Sequence, residues 1–186
     1  MSTANIITLV RLALIPVFVL FMELDGVTAQ ALALALFALA SLTDHLDGHI
    51  ARKYNQVTDL GKILDPLADK LLVMSAFVLF VADGLMHPIA LLLILAREFA
   101  ITSIRVVFAS GGRVVGAAFS GKLKTVLQIV SILCILAMPL PCFRTLIAEE
   151  TYRLVANVLG WVLAAVTVWS GIDYCMHSLS LKSIKK

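Results

Sequence analysis

The chain has 186 residues, of which 61% are hydrophobic, and its mean hydropathy is +1.00. A soluble domain of this length has no use for so much apolar surface, so the composition excludes an ordinary globular protein and predicts an all-α, polytopic membrane protein. The net charge of +3 matters less than where the charges fall, and nothing in it points to a nucleic-acid partner. Cys134, Cys142 and Cys175 are scattered with no C-x-x-C pair, which argues against a disulfide framework or a zinc site. Leu9–Met22 is apolar, but no small-x-small cleavage pattern follows it, so no cleavable signal peptide is expected.

Six apolar segments follow one another: Leu9–Met22, Thr28–Ile50, Ile63–Ala82, Pro88–Ala109, Lys124–Pro139 and Leu154–His177. Glycine, proline or charge marks the breaks at Glu23–Val27, Arg52–Gly61, Asp83–Pro88, Ser110–Gly121 and Pro139–Tyr152. Short connections predict antiparallel neighbours. No repeat, linker or second domain interrupts residues 1–186.

Ahead of and into the first segment runs Asn5-x2-Thr8-x2-Arg11, whose neighbours share a helix face. An N-cap followed by a snorkelling arginine accounts for it as well as a binding role does.

Between the second and third segments, Ser41–Lys70 holds five aspartates. Asp44 and Asp47 are three apart and Asp65 and Asp69 four apart, so each pair lies on one helix face, with Asp59 alone between them as a helix-end carboxylate. Carboxylates beside a bilayer are costly unless paired, hydrated or bound to metal. Lys53 and Lys70 stand about 180° and 140° from Asp44 and Asp65, so four carboxylates are left for a divalent metal. With Asp44 at zero, Asp47 falls at about −60°, Gly48 at +40°, Ala51 at −20° and Arg52 at +80°; with Asp65 at zero, Gly61 lies at about −40° and Asp69 at +40°. Acids, small residues and an arginine on one surface make a floor for a metal-bound diphosphate. His45 and His49 lie at about +100° and +140°, away from this face, and read as interface or packing residues.

The fourth segment carries Arg97, Glu98 and Arg105 in apolar surroundings, and Lys122 and Lys124 open the fifth. Arg97 and Arg105 stand about 80° apart on the wheel. Arg97 lies well within its span, and a half-buried cation needs an anion. Glu98 points about 100° from Arg97 and is expected to satisfy only one of the cations. An anion pocket is therefore expected here, with Arg113 and Lys124 snorkelling to the interface.

Alternate connections are basic: Arg52, Lys53 and Lys62, then Arg113, Lys122 and Lys124, then Lys182, Lys185 and Lys186. The others hold Glu23 and Asp25, then Asp83, then Glu149 and Glu150 with Arg144 and Arg153. The positive-inside rule then gives six transmembrane helices, both termini cytoplasmic, and the aspartates at the cytoplasmic side.

The pattern Asp44-x2-Asp47-Gly48-x2-Ala51-Arg52-x8-Gly61-x3-Asp65-x3-Asp69 resembles the signature of the CDP-alcohol phosphotransferases. Leu64–Lys70, Ala96-Arg97-Glu98 with Arg105, Gly121-Lys122-x-Lys124-Thr125, the N-terminal element and Val168–Tyr174 extend the resemblance over nearly the whole chain, toward the branch that makes phosphatidylglycerophosphate. The longer N-terminal lead common in that branch is nearly absent here.

The resemblance implies transfer of a phosphatidyl group from CDP-diacylglycerol to sn-glycerol 3-phosphate, releasing CMP. It implies two divalent ions held by Asp44, Asp47, Asp65 and Asp69, with magnesium or manganese suiting all-oxygen ligands. Asp47 and Arg52 would contact the donor, Gly48, Ala51 and Gly61 would give room for its cytidine, and Asp69 would be the base for the acceptor hydroxyl. Arg97, Arg105 and Lys122 would bind the acceptor's phosphate, with Thr8 a weaker addition. A homodimer in the bacterial cytoplasmic (inner) membrane, its acyl substrate left in the surrounding membrane lipid, completes the expectation. Inositol phosphate or serine as acceptor is the rival within the same chemistry. A divalent-metal transporter is the rival outside it, and a transport path has no use for the Gly48–Arg52 face.

Overall fold

The computed structural model describes the backbone of residues 3–53, 59–110 and 119–183, and the side chains of residues 8–43, 67–68, 70–108 and 119–177. These residues form helices and no strand: α1 Thr3–Glu23, α2 Val27–Lys53, α3 Asp59–Ala82, α4 Pro88–Ser110, α5 Phe119–Ala137, α6 Pro141–Arg144 and α7 Glu149–Ser183. Six long helices match the six apolar segments; the short α6 is an addition within the expected Pro139–Tyr152 break.

The connections follow from local chemistry. Gly26 (φ +116°) and Gly84 (φ +69°) take backbone conformations that side-chain-bearing residues rarely adopt, and they turn the chain after α1 and α3. Pro88 and Pro141 start α4 and α6, where the missing N–H costs nothing. The His87 ring accepts at Nδ1 from the Ile89 N–H (3.2 Å), satisfying one of the open donors of α4.

α1 packs on α2 and α3, α7 packs on α4 and α5, and α5 also meets α2 and α3. The core holds Phe18, Phe37, Phe77, Phe80, Ile94, Ile132 and Leu163, with Phe18 tilted on Phe37 at a ring separation of 5.7 Å. Ala33, Ala40, Ala76, Ala90, Ala156 and Ala164 are buried between them, where small residues let helix backbones approach. Outward, Leu20, Leu92, Phe99, Val107 and Leu154 are exposed, as suits a surface facing hydrocarbon. Among the described residues, Phe119–Ala137 and Glu149–His177 are long and apolar enough to cross a membrane; Val27–Thr43 and Lys70–Ala82 are shorter apolar stretches.

Three boundaries shift what the site contains. α2 continues to Lys53, so Asp44 through Arg52 are helical throughout; α3 starts at Asp59, so Gly61, Asp65 and Asp69 belong to one helix. α5 begins at Phe119 rather than Lys124, which makes Ser120, Lys122 and Lys124 helical and fixes which of them face inward.

Candidate active site

The backbone holds the aspartates as their spacing requires. Asp44 and Asp47 share one face of α2, three residues apart, with Gly48, Ala51 and Arg52 on the following turns. Gly61, Asp65 and Asp69 recur four apart along α3. The side chains of Asp44, Asp47, Gly48, Ala51, Arg52, Gly61, Asp65 and Asp69 lie outside the described residues, as do those of His45, His49 and Asp59. Among the described residues no group of three or more His, Cys, Asp or Glu is placed to hold a metal ion. The donor set that the helices offer is carboxylate only, and hard divalent cations prefer oxygen.

The cationic half of the site lies between α4, α5 and α7. Arg97 donates from Nη2 to Ser170 Oγ (2.8 Å) and from Nη1 to Glu98 Oε1 (3.2 Å). Its Nε is buried with no hydrogen-bond partner among the described residues. Lys124 reaches from α5 to the same Glu98 Oε1. Glu98 and Lys124 are 8% and 6% exposed, so the pairing is made away from bulk water. Gly171 of α7 lies against the arginine stem: a Cβ there would come within 2.9 Å of Arg97 Cγ.

The cluster extends toward both neighbouring elements. Thr102 donates to the Glu98 carbonyl (2.7 Å), one turn back, and Lys70 donates to the Thr102 hydroxyl. Lys70 follows Asp69 on α3, so this contact ties the aspartate helix to α4. On the other side, Ser120 of α5 donates to Asp173 Oδ2 of α7 (2.5 Å). The Arg105 guanidinium sits 5.2 Å from the ring centre of Tyr174, within cation–π range.

Several expectations change here. Glu98 was expected to satisfy one cation and accepts from two, because the arginine side chain is long enough to swing back across its neighbour. Lys124 was expected to snorkel to the interface and is buried, whereas Lys122 is exposed. Two residues apart on a helix is about 200°, so only one of these lysines can face α4. Arg97 and Arg105 stay on one helix, the first half-buried and the second exposed on Tyr174. Thr8 is buried in α1, and Arg113 lies outside the described residues.

Sequence reasoning assigns no role to Thr102 and Ser120, weighs Lys70 only as a partner for Asp65, and offers Ser170 and Asp173 only as part of the resemblance over Val168–Tyr174. A signal was present in the spacing: Ser120-x3-Lys124-x3-Gln128-x2-Ser131 gives α5 one buried polar stripe, and Thr167-x2-Ser170-x2-Asp173 gives α7 a second, its last member half-buried. Polar side chains repeating on one face of an otherwise apolar helix mark where two helices meet over something polar.

A cavity of about 410 Å³ opens at the other end of the bundle, lined by Asp25, Gln30, Asp83, Arg144, Glu149 and Arg153 among others. It is walled by the α1–α2, α3–α4 and α5–α7 connections, and the aspartates border the α2–α3 connection. Burial, and secondarily Glu23, raises the Asp83 carboxyl above its ordinary range against the opposing pull of Arg153.

A family model described as CDP-alcohol phosphatidyltransferase matches residues 1–169. The chain is 41% identical over 182 residues to the CDP-diacylglycerol--glycerol-3-phosphate 3-phosphatidyltransferase of Bacillus subtilis, with 91% of each chain covered. It is 38% identical over 170 residues to the protein of the same name from Rickettsia bellii, again with 91% of each covered. A probable phosphatidylglycerophosphate synthase of Mycobacterium tuberculosis is 36% identical over 181 residues, covering 96% of this chain and 82% of that one.

Proposed function

The chain belongs to the CDP-alcohol phosphatidyltransferase family, and we propose that it transfers the phosphatidyl group of CDP-diacylglycerol to sn-glycerol 3-phosphate. The products are phosphatidylglycerophosphate and CMP. The observation that carries this reading is the match over 91% of both chains to a relative bearing that activity in its name. It favours glycerol 3-phosphate over inositol phosphate or serine, and an enzyme over a metal transporter.

In the reaction the oxygen of one of the acceptor's two free hydroxyls forms a bond to the phosphatidyl phosphorus as its proton is removed, the diphosphate bridge breaks, and CMP leaves with the bridging oxygen. Asp44, Asp47, Asp65 and Asp69 would hold two divalent ions, magnesium or manganese, which neutralise charge developing on the diphosphate. Helical continuity through Asp44–Arg52 and Gly61–Asp69 supports the fit, since it stacks each acid pair on one face. Asp69 takes the proton of the attacking hydroxyl. Asp47 and Arg52 contact the donor, and Gly48, Ala51 and Gly61 leave room for its cytidine. Arg97 and Arg105 receive the acceptor's phosphate, with Thr8 a weaker addition. Lys122, exposed on the face of α5 opposite Lys124, contributes less than that buried lysine. Arg97 is the best supported, having a buried N–H without a partner among the described residues.

The chain acts as one membrane domain over residues 1–186, with six spans, both termini cytoplasmic and the active site facing the cytoplasm of a bacterial inner membrane. The alternation of basic and acidic connections supports that orientation. The acyl chains of the donor stay in lipid beside the helices, and the working unit is a homodimer.

Purified protein in detergent–lipid micelles, given CDP-diacylglycerol, magnesium and one acceptor at a time, tests the reading. CMP release is expected with glycerol 3-phosphate and at background with inositol phosphate or serine. Release with another acceptor alone would reassign the substrate, and no release with any would remove the enzyme reading.

A further inference from the structure

We propose that Glu98 is a positioning residue, whose carboxylate gathers Arg97 of α4 and Lys124 of α5 into one preformed cradle for the acceptor's phosphate. The inference rests on the glycerol 3-phosphate reading and adds to it a residue that touches no reacting atom.

Arg97 and Lys124 come from different helices and bear like charges, yet both hydrogen-bond to one oxygen of Glu98. Two buried cations without an anion between them repel and lose hydration, and the longer side chains would turn outward. With Glu98 present the three groups sum to one positive charge, which leaves attraction for an anion. Donors remain for it as well. A guanidinium has five N–H groups; contacts to Glu98 and Ser170 account for one bond at each terminal nitrogen, and Nε is buried without a partner among the described residues. An arriving phosphate can therefore bind without displacing Glu98.

The surrounding contacts give Glu98 a fixed seat. Thr102 donates to its carbonyl, Lys70 donates to Thr102, and Lys70 follows Asp69 on α3. Ser170 and Gly171 hold Arg97 from the α7 side. The carboxylate is thus the meeting point of α4 and α5 where they face the aspartate helix.

Steady-state kinetics of wild type, Glu98→Gln, Lys124→Met and the double variant, each substrate varied in turn and folding followed by thermal unfolding, tests this. Glu98→Gln is expected to raise the acceptor KM roughly tenfold or more, the size of a coupling between contacting charged groups. The CDP-diacylglycerol KM and the turnover at saturating acceptor should hold within about a factor of three. The double variant should be no worse than the weaker-binding single, because Glu98 acts through the cations it holds. Glu98→Asp keeps the charge but is one methylene short of spanning both partners, so its acceptor KM should fall between wild type and Glu98→Gln; if Glu98→Gln does not fold, this variant decides by the same measure. An unchanged acceptor KM, equal losses for both substrates, or additive losses in the double variant would overturn the proposal while wild-type CMP release left the activity standing. Absence of wild-type CMP release with glycerol 3-phosphate would overturn both.

Discussion

Replacing Gly171 with alanine separates the arginine cradle from general helix stability. The added Cβ would lie 2.9 Å from Arg97 Cγ, against roughly 3.5–4.0 Å for an unstrained carbon contact. Cγ is near the root of the side chain, so the stem must shift by about 0.6 Å or more. The Nη1 bond to Glu98, at 3.2 Å, would then stretch to about 3.8 Å and fail. The 2.8 Å bond to Ser170 would become marginal. Losing one charge-assisted bond removes about 1.5–3 kcal/mol of ordering at the arginine, which corresponds to roughly a ten- to hundredfold rise in acceptor KM. Helix propensity offsets only about 0.5–1 kcal/mol of this in favour of alanine, so a lowered unfolding temperature with the fold retained is expected. Gly160→Ala is the comparison: its Cβ would meet Met86 Cγ at 3.0 Å, a similar crowding of a buried stem, but Met86 holds no charged partner, so fold stability should fall with no change in acceptor KM. Acceptor and donor KM values for both variants, with unfolding temperatures, provide the assay. A Gly171→Ala enzyme with wild-type acceptor KM and intact fold would show that Arg97 does not depend on this seat.

Chelation should abolish activity and added magnesium or manganese should restore it; full turnover in excess chelator would exclude metal-held aspartates. Asp69→Asn should cut turnover by about 10²–10⁴-fold, the usual loss for a general base, with CDP-diacylglycerol binding largely intact; if donor affinity falls with turnover, Asp69 serves as a ligand only. Arg97→Ala should raise the acceptor KM about ten- to hundredfold, and Lys124→Ala should now exceed Lys122→Ala, reversing the order expected from sequence; equal effects of the two lysines would contradict the buried placement of Lys124. Asp83 has its carboxyl raised by burial and Glu23, so the native state favours the protonated form, and the stability this gives is present at low pH and lost as pH rises through the raised value. Asp83→Asn should therefore raise the unfolding temperature at pH 7 and lose that advantage as pH falls toward about 4; a constant difference across this range would refute it.

The helices were legible because hydrocarbon runs broken by Gly26, Gly84 and Pro88 leave few alternatives. The aspartate faces were legible too, since i,i+3 and i,i+4 spacing on a helix needs no tertiary information. The cationic cluster was only half legible. Wheel angles place a residue around its own helix, and which face meets a neighbour is decided by packing. The start of α5 at Phe119 turned Lys124 inward, and side-chain reach brought Arg97 to Glu98 despite an unfavourable angle. Ser170 and Gly171 acquire meaning only when α7 lies against α4, a contact 73 residues away in sequence.

The most direct measurement of the central claim follows the atoms of the acceptor. Glycerol 3-phosphate labelled in its glycerol carbons, incubated with the purified protein, CDP-diacylglycerol and magnesium, should carry its label into the chloroform-soluble fraction, with one CMP released per labelled lipid. Label that stays in the aqueous phase while CMP accumulates would mean water or another alcohol takes the phosphatidyl group, and would contradict the assignment.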